Sequence, residues 1–503
     1  MAHADFVLYN ARIHTLDPAR PQAEALAAYQ GRVVLVGTNE AALGLAGQAT
    51  VRLDGRGHLA VPGFVDAHIH FAAWALARRQ VNLGGTRRLA EALDRVRAAA
   101  EQIPPGEWVV GRGWDHSVWE GGRFPTRADL DRVVPDRPVV LTRKDGHSIW
   151  VNSLALGRAG ITRETPDPPG GQVDRDEAGE PTGILREAAM RLVWQAVGRP
   201  TAGAVESALK AAIPEAHQLG LTGIHEIDGR EAFQAYQRLR LAGDLSLRVR
   251  FFLNPAQELL EPARRLGVRS GLGDDWLRVS GVKFFADGSL GSLTALMLEP
   301  YDGTEECGVA VTPPDQLRAW VEAAFRGGLA VAIHAIGDRA NRLCLDILEA
   351  TRPLWASQGL RPRIEHIQLL HPDDLPRLAR LGVVAAMQPV HCTQDLFLAE
   401  KYCGRRNRYA YAWRSLLRHG TVLAFGSDCP VETPDPLKGL YAASTRRRED
   451  GYPPGGWYPE ERLDAEAALR AYTLGAAFTV GEEGHWGSLR PGSYADLVLL
   501  SRD

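Results

Sequence analysis

Eight short apolar runs recur between residues 63 and 430, most of them set apart by stretches with helical patterning: GFVDAHIHF, LTGIHEID, LRVRFFLN, VSGVKFFAD, LAVAIHAIG, PRIEHIQ, VVAAMQPVH and VLAFGSDCP. Runs of this length, bounded by turn residues, read as strands buried on both faces. Their alternation with helices such as AVESALKAAIPEAHQLG and PPDQLRAWVEAAFRGG, each ending in Gly, is the pattern of parallel βα units that close on themselves. The chain is therefore predicted to be α/β, a (β/α)8 TIM barrel, with its chemistry at the C-terminal mouth of the strands.

The ends of the chain read differently. FVLYNARIHTL, RVVLVG, TVRLDG and HLAVPG form an all-β start, and GSLRPGSYADLVLLSRD supplies a turn and a last strand, so both termini are expected to complete one small β-sandwich. This divides the chain into 1–60 (sandwich), 61–71 (first barrel strand), 72–200 (insertion), 201–440 (rest of the barrel), 441–485 (a helical segment) and 486–503 (sandwich). The insertion is too long for a loop. It carries the aromatic, Gly-rich GRGWDHSVWEGGRF and is expected to lie over the barrel mouth.

A net charge of −3 over 503 residues gives no electrostatic footprint for nucleic acid. No run of about 18 apolar residues suggests a membrane span, and the start lacks a secretory signal, so a cytoplasmic protein is expected. The five cysteines form no C-x-x-C pair and are expected to be reduced. Of 58 basic residues only five are Lys, which draws attention to Lys283 inside a buried-looking strand.

His68 and His70 sit two apart, so in an extended chain both rings reach one face. In the same count His334 ends the fifth strand, His366 the sixth and Asp428 the eighth, while Lys283 lies on the fourth. Singly, each has an innocent reading as a satisfied core histidine or a turn cap. Together, imidazole and carboxylate donors at one mouth suit a divalent metal, most simply Zn²⁺, with a position open for water. Weaker candidates for substrate contact are His147 and Trp114 in the insertion, Asp287 and Ser289 just beyond Lys283, and His391 at the end of the seventh strand. Each also has a structural reading as a core, turn or strand-end residue. His225 and Glu226 are adjacent and face opposite ways, so neither is assigned as a ligand.

The motifs PGFVDAHIH, GWDHSVW, RPVVLTRKDGHSIWVNS, VKFFADGSLGS, HAIGDRA, IEHIQLLHPDD, MQPVHCTQD, GSDCPVE, AYTLGAA and GSLRPGSYADLVLL together resemble the amidohydrolase superfamily. Within it they are similar to the YtcJ-like branch related to N-substituted formamide deformylases. One departure is Leu293, where relatives commonly carry Arg after DGSLGS, implying a less polar pocket wall. The resemblance implies hydrolysis of an amide or formamide C–N bond by metal-activated hydroxide, with Asp428 as the proton carrier and His366 helping to stabilise the oxyanion. A Lys ammonium has no acceptor and cannot ligate a cation, whereas a carboxylated Lys283 supplies anionic oxygens able to bridge two ions. Two arrangements follow. In one, His68, His70, Lys283 and Asp428 hold one ion, and Lys283, His334 and His366 hold a second. In the other, one ion binds beside an unmodified Lys283.

A cyclic amide, lactone or aminated heterocycle is the alternative substrate class, and a non-catalytic binding or regulatory protein on the same scaffold is the alternative of another kind. The partners expected are a small-molecule substrate and a second copy of the chain in a homodimer.

Overall fold

The computed structural model describes residues 3–502 apart from 105, 144–147, 169–170, 255–258 and 292. The chain begins with β1 (Ala4–Tyr9), β2 (Arg12–His14), β3 (Gln22–Ala23), β4 (Ala25–Tyr29), β5 (Arg32–Gly37), β6 (Ala46–Asp54) and β7 (Leu59–Pro62). The first barrel strand, β8 (Phe64–Ile69), follows at once. The insertion contributes β9 (Val81–Asn82), β10 (Val109–Trp114), β11 (Val139–Arg143), β12 (Ser148–Val151), β13 (Gly171–Arg175) and β14 (Pro181–Glu187). The barrel then resumes with β15 (Leu221–Glu226), β16 (Arg248–Leu253), β17 (Leu277–Phe285), β18 (Ala330–Ala335), β19 (Arg363–His366), β20 (Val384–Met387) and β21 (Leu423–Phe425), and β22 (Leu497–Leu500) ends the chain.

Two four-stranded sheets, β5-β4-β1-β6 and β22-β7-β2-β3, make the sandwich, and β22 joins it antiparallel to β7 with Leu499 opposite Ala60. Leu8, Ile13, Leu26, Val33 and Ala60 are buried between the sheets with Leu497 and Leu499 against them. Each large aliphatic side chain so buried stabilises by about 1.5–3 kcal/mol. Charge then ties sandwich to barrel. Arg248 on β16 donates to both carboxylate oxygens of Asp496 at 2.6 and 2.9 Å, and its guanidinium lies 3.6 Å from the centre of the Tyr494 ring.

The eight barrel strands pair in the order β8-β15-β16-β17-β18-β19-β20-β21, every neighbouring pair parallel. Closure comes from the segment after β21, where the Asp428 amide donates to the His68 carbonyl at 2.7 Å and the His70 amide to the Cys429 carbonyl at 2.9 Å. Asp66 locks the seam by accepting from the Ser427 hydroxyl at 2.5 Å, the Ser427 amide at 3.0 Å and the His68 amide at 3.1 Å. Gly426 is required there because a Cβ at that position would lie 2.4 Å from the His68 amide nitrogen. The seam thus fixes the backbones of His68, His70 and Asp428 relative to one another.

Residues Ala75–Ala204 form a compact unit of their own around a mixed sheet, β13-β14-β12-β11-β10-β9. Val96, Val109, Trp114, Trp119, Leu130, Leu141 and Trp150 fill its core. Among the described residues no helix is long and apolar enough to cross a membrane.

Candidate metal centre

His68 is the fifth residue of β8, and the strand ends one residue later. His70 follows as the chain turns into the helix Phe71–Arg78. The Nε2 atoms of both rings face one oxygen, Oδ1 of Asp428, at 3.3 and 3.6 Å. Two donors about 2.0–2.1 Å from a tetrahedral ion sit roughly 3.4 Å apart, so these three atoms have the spacing of a ligand set. Each ring is held from behind. Nδ1 of His68 bonds to Glu365 and Nδ1 of His70 to Oδ1 of Asp228 at 2.8 Å. A carboxylate accepts only, so each Nδ1 carries the proton and each Nε2 lone pair points at Asp428. Asp228 also accepts the Ala73 amide at 2.7 Å, which fixes its own orientation. Asp228→Asn is therefore expected to weaken divalent-ion affinity by about 10- to 100-fold, measured by chelator competition; unchanged affinity would remove Asp228 from this role.

A second set is His366, His391 and Asp428, whose ligand atoms also converge. The His366 ring centre lies 4.4 Å from that of His334 and 4.8 Å from that of His68. His366 (φ 75°) and Asp428 (φ 57°) both adopt left-handed backbone. For non-Gly residues that costs about 1–3 kcal/mol each and is held by surrounding structure, a feature that gathers at functional sites.

His334 is in neither convergent set; its Nε2–H donates to the Gly288 carbonyl at 2.9 Å, which leaves the Nδ1 lone pair as its ligand atom. One expectation is corrected here, the placement of His391 at a strand end. Pro389, with no amide to give to the ladder, opens the helix Pro389–Cys403, and His391 lies in its first turn, with Nε2 3.8 Å from Oδ2 of Asp428.

The electrostatics favour neutral imidazoles at His366 and His334 and ionised carboxylates at Asp428 and Glu365, whereas His70, despite its burial, is raised by Asp228 and Asp428. Burial drives the pKa of His366 well below the usual range, helped by His334, His68 and Lys283, and burial brings His334 down to about 3. Burial pushes the other way on Asp428, but the facing His68 and the nearby His391 and His70 hold it well below the ordinary carboxylate value. Glu365 behaves alike: burial raises it, yet Arg363, His68 and Lys283 bring it to about 2. Lys283, wholly enclosed on β17, is lowered by that burial to about 8 against the pull of Glu365 and Asp428.

The substrate-side expectations fare unevenly. Trp114 is fully buried in the insertion's core among Trp119, Phe124 and Trp150, with its indole N–H on the Leu141 carbonyl at 2.8 Å. It has no face left for a ligand. Asp287 is also a structural residue: its two oxygens accept the Leu296, Ile336 and Gly337 amides at 2.8–3.0 Å. It pins the loop after β17 to the loop after β18. Ser289 lies in the first of those loops, its amide on the Thr294 hydroxyl at 3.0 Å. His147 falls outside the described residues.

Sequence reading passed over Glu365 and Asp228, which orient the paired histidines, and Arg363, whose Nε lies 2.7 Å from Glu365 and whose Nη1 donates to Nδ1 of His225 at 2.8 Å. One signal was available for two of them: Arg363 and Glu365 alternate along β19 and so share a face. His225 meets Arg363, while Glu226 takes the Tyr236 hydroxyl from the helix Arg230–Ala242 at 2.6 Å.

The family described as the amidohydrolase family matches residues 53–503. Protein LONG AFTER FAR-RED 3 of Arabidopsis thaliana is 36% identical, covering 99% of this chain and 87% of its own length. The putative amidohydrolase YtcJ of Bacillus subtilis is 32% identical over 89% of this chain and 84% of its own. An N-substituted formamide deformylase of Arthrobacter pascens is 29% identical over 99% and 94%. Among solved structures, an uncharacterized metal-dependent hydrolase from Pyrococcus furiosus superposes with a TM-score of 0.84 at 30% identity, covering 99% of both chains.

Proposed function

This chain belongs to the amidohydrolase family, and from that premise we propose that it is a metal-dependent hydrolase cleaving the C–N bond of an amide or formamide with an apolar N-substituent. The observation that carries the reading is the convergence of two imidazole Nε2 atoms on one carboxylate oxygen, each ring fixed by a carboxylate behind it. The names borne by relatives, a formamide deformylase and a metal-dependent hydrolase, point the same way.

His68, His70 and Asp428 would hold the ion, most simply Zn²⁺, which when bound polarises a carbonyl and lowers the pKa of water from 15.7 towards about 7. Asp428, kept ionised, is the group that takes a proton from the attacking water and returns it to the leaving nitrogen. Its Oδ1 faces both histidines, which leaves Oδ2 for that transfer. His366, neutral and with Nδ1 lacking a hydrogen-bond partner among the described residues, stands beside this centre. That unpartnered nitrogen also favours a second reading, in which a carboxylated Lys283, His334 and His366 hold a second ion. Intact mass showing one added CO₂ that is lost in acid, with metal near two equivalents, supports the second reading; a bare Lys283 with one equivalent supports the first.

The protein loaded with Zn²⁺ is expected to turn over N-substituted formamides, to lose that activity to a chelator and to regain it on adding zinc. Turnover confined to lactones, cyclic amides or aminopurines moves the substrate class, and no turnover by the loaded protein leaves the binding-scaffold reading. On composition we place the protein in the cytoplasm, acting on a small molecule with no nucleic-acid partner, and on the family resemblance alone we propose a homodimer.

A further inference from the structure

We propose that Gln388 and His391 form a neutral hydrogen-bonding pair that grips the substrate beside the bond being cut, and that Gln368, Asp395 and Tyr411 hold His391 in the tautomer this requires. The proposal rests on the hydrolytic reading above and deepens it by naming the chemistry of the substrate's second polar group.

Gln388 is 1% exposed, yet neither its Oε1 nor its Nε2 has a hydrogen-bond partner among the described residues. Its backbone is still extended, at φ −118° and ψ 101°. Strand alternation therefore puts it on the face of Val384 and Ala386, and Val384 packs inside the barrel with Val65, Ala67 and Ala424. The amide is thus placed at the mouth, one layer beyond Ala386, which pairs with Glu365. Although Gln388 is the N-cap of the helix Pro389–Cys403, its side chain makes no capping bond. A buried amide left without partners is costly and rare, and a polar ligand would satisfy it.

His391 lies three residues further on. Its Nδ1 is 3.4 Å from Nε2 of Gln368, and the same Gln368 nitrogen is 2.9 Å from Oδ2 of Asp395, which also accepts the Tyr411 hydroxyl at 2.7 Å. The carboxylate can only accept, so it fixes Gln368 with its NH₂ turned this way, and that NH₂ then donates to Nδ1 of His391. A neutral His391 must carry its proton on Nε2, the atom that has no hydrogen-bond partner among the described residues and faces the Asp428 side of the mouth. A protonated ring nitrogen cannot ligate a cation. His391 therefore leaves the second donor set and becomes a hydrogen-bond donor.

The atoms of this wall without partners, Nε2 of His391, both amide atoms of Gln388 and Oε1 of Gln368, are all uncharged. Asp395, the full charge among them, already accepts from Tyr411 and Gln368. The matching ligand group is one that is neutral and both accepts and donates, a carboxamide or ureide, rather than a carboxylate.

The test compares, on the zinc-loaded protein, two substrates of equal size, one N-substituted formamide bearing a primary carboxamide and one bearing an isosteric alkyl ketone. The wild type is expected to prefer the carboxamide by about 10- to 100-fold in kcat/KM, the cost of leaving a buried polar group unsatisfied, and Gln388→Met to abolish that ratio. Asp395→Asn, which frees Gln368 to turn over, is expected to raise KM for the carboxamide more than it lowers kcat. ¹⁵N spectra are expected to place the His391 proton on Nε2 in the wild type and on Nδ1 in Asp395→Asn. If neither formamide is hydrolysed, the formamide reading fails separately, and the same pair is compared as ligands by calorimetry with zinc present. An undiminished ratio in Gln388→Met, or a wild-type His391 protonated on Nδ1, overturns the proposal.

Discussion

Asp428→Asn is expected to lower kcat by about 10²- to 10⁴-fold, the range of a lost proton transfer, while the protein stays folded and keeps much of its metal. The substitution preserves the shape of the side chain and one oxygen facing Nε2 of His68 and His70. It removes the negative charge that makes the group a base. Because Asp428 sits on the segment that closes the barrel through its amide to the His68 carbonyl, the backbone bond survives and melting temperature is expected to move little. The measurement is kcat at saturating substrate alongside metal per chain; a near wild-type kcat would remove Asp428 from the proton transfer.

Glu365→Ala is expected to be the most destabilising single change at the site, by about 3–5 kcal/mol, because it leaves a buried charge without its partner. Glu365 has no exposed surface, holds His68, and pairs with Arg363, which is equally enclosed. Urea unfolding measures the loss. Replacing both charges, as Arg363→Met with Glu365→Leu, is expected to recover much of the stability but not the metal affinity, since His68 would lose its orienting acceptor. A single variant as stable as the wild type would show that the Arg363 charge is satisfied by other groups.

The same carboxylate sets a pH dependence. Its folded pKa of about 2 lies below the ordinary 4.5, so its contribution is fully present above pH 4.5 and drains away as pH falls from there towards 2. In Glu365→Ala this part of the acid sensitivity is expected to disappear, which pH-dependent unfolding reads directly.

The barrel was legible because its strands are apolar runs of the right length between helical patterns, and the paired histidines because alternate residues of a strand share a face. What stayed hidden depended on contacts between distant segments. Glu365 and Asp228 look like ordinary acids in IEHIQ and HEID until the fold puts them behind His68 and His70. VVAAMQPVH reads as one continuous run, yet the strand ends at Met387 and Pro389 starts a helix, which moves His391 onto a different element. Trp114 read both as a substrate contact and as a core residue of the insertion, and the insertion's sheet encloses it. Asp287 sits close to Lys283 in sequence, but the amides of Leu296, Ile336 and Gly337 that claim it come from two other stretches of chain.

The central claim is that His68, His70 and Asp428 bind a divalent ion. Elemental analysis of the purified wild type and of the His68→Ala/His70→Ala double variant, both equilibrated with Zn²⁺ and freed of excess, tests it most directly. At least one tightly held equivalent in the wild type, lost in a double variant that remains folded by circular dichroism, is the result expected. A wild type that retains no zinc, or a double variant that retains as much, would contradict the account.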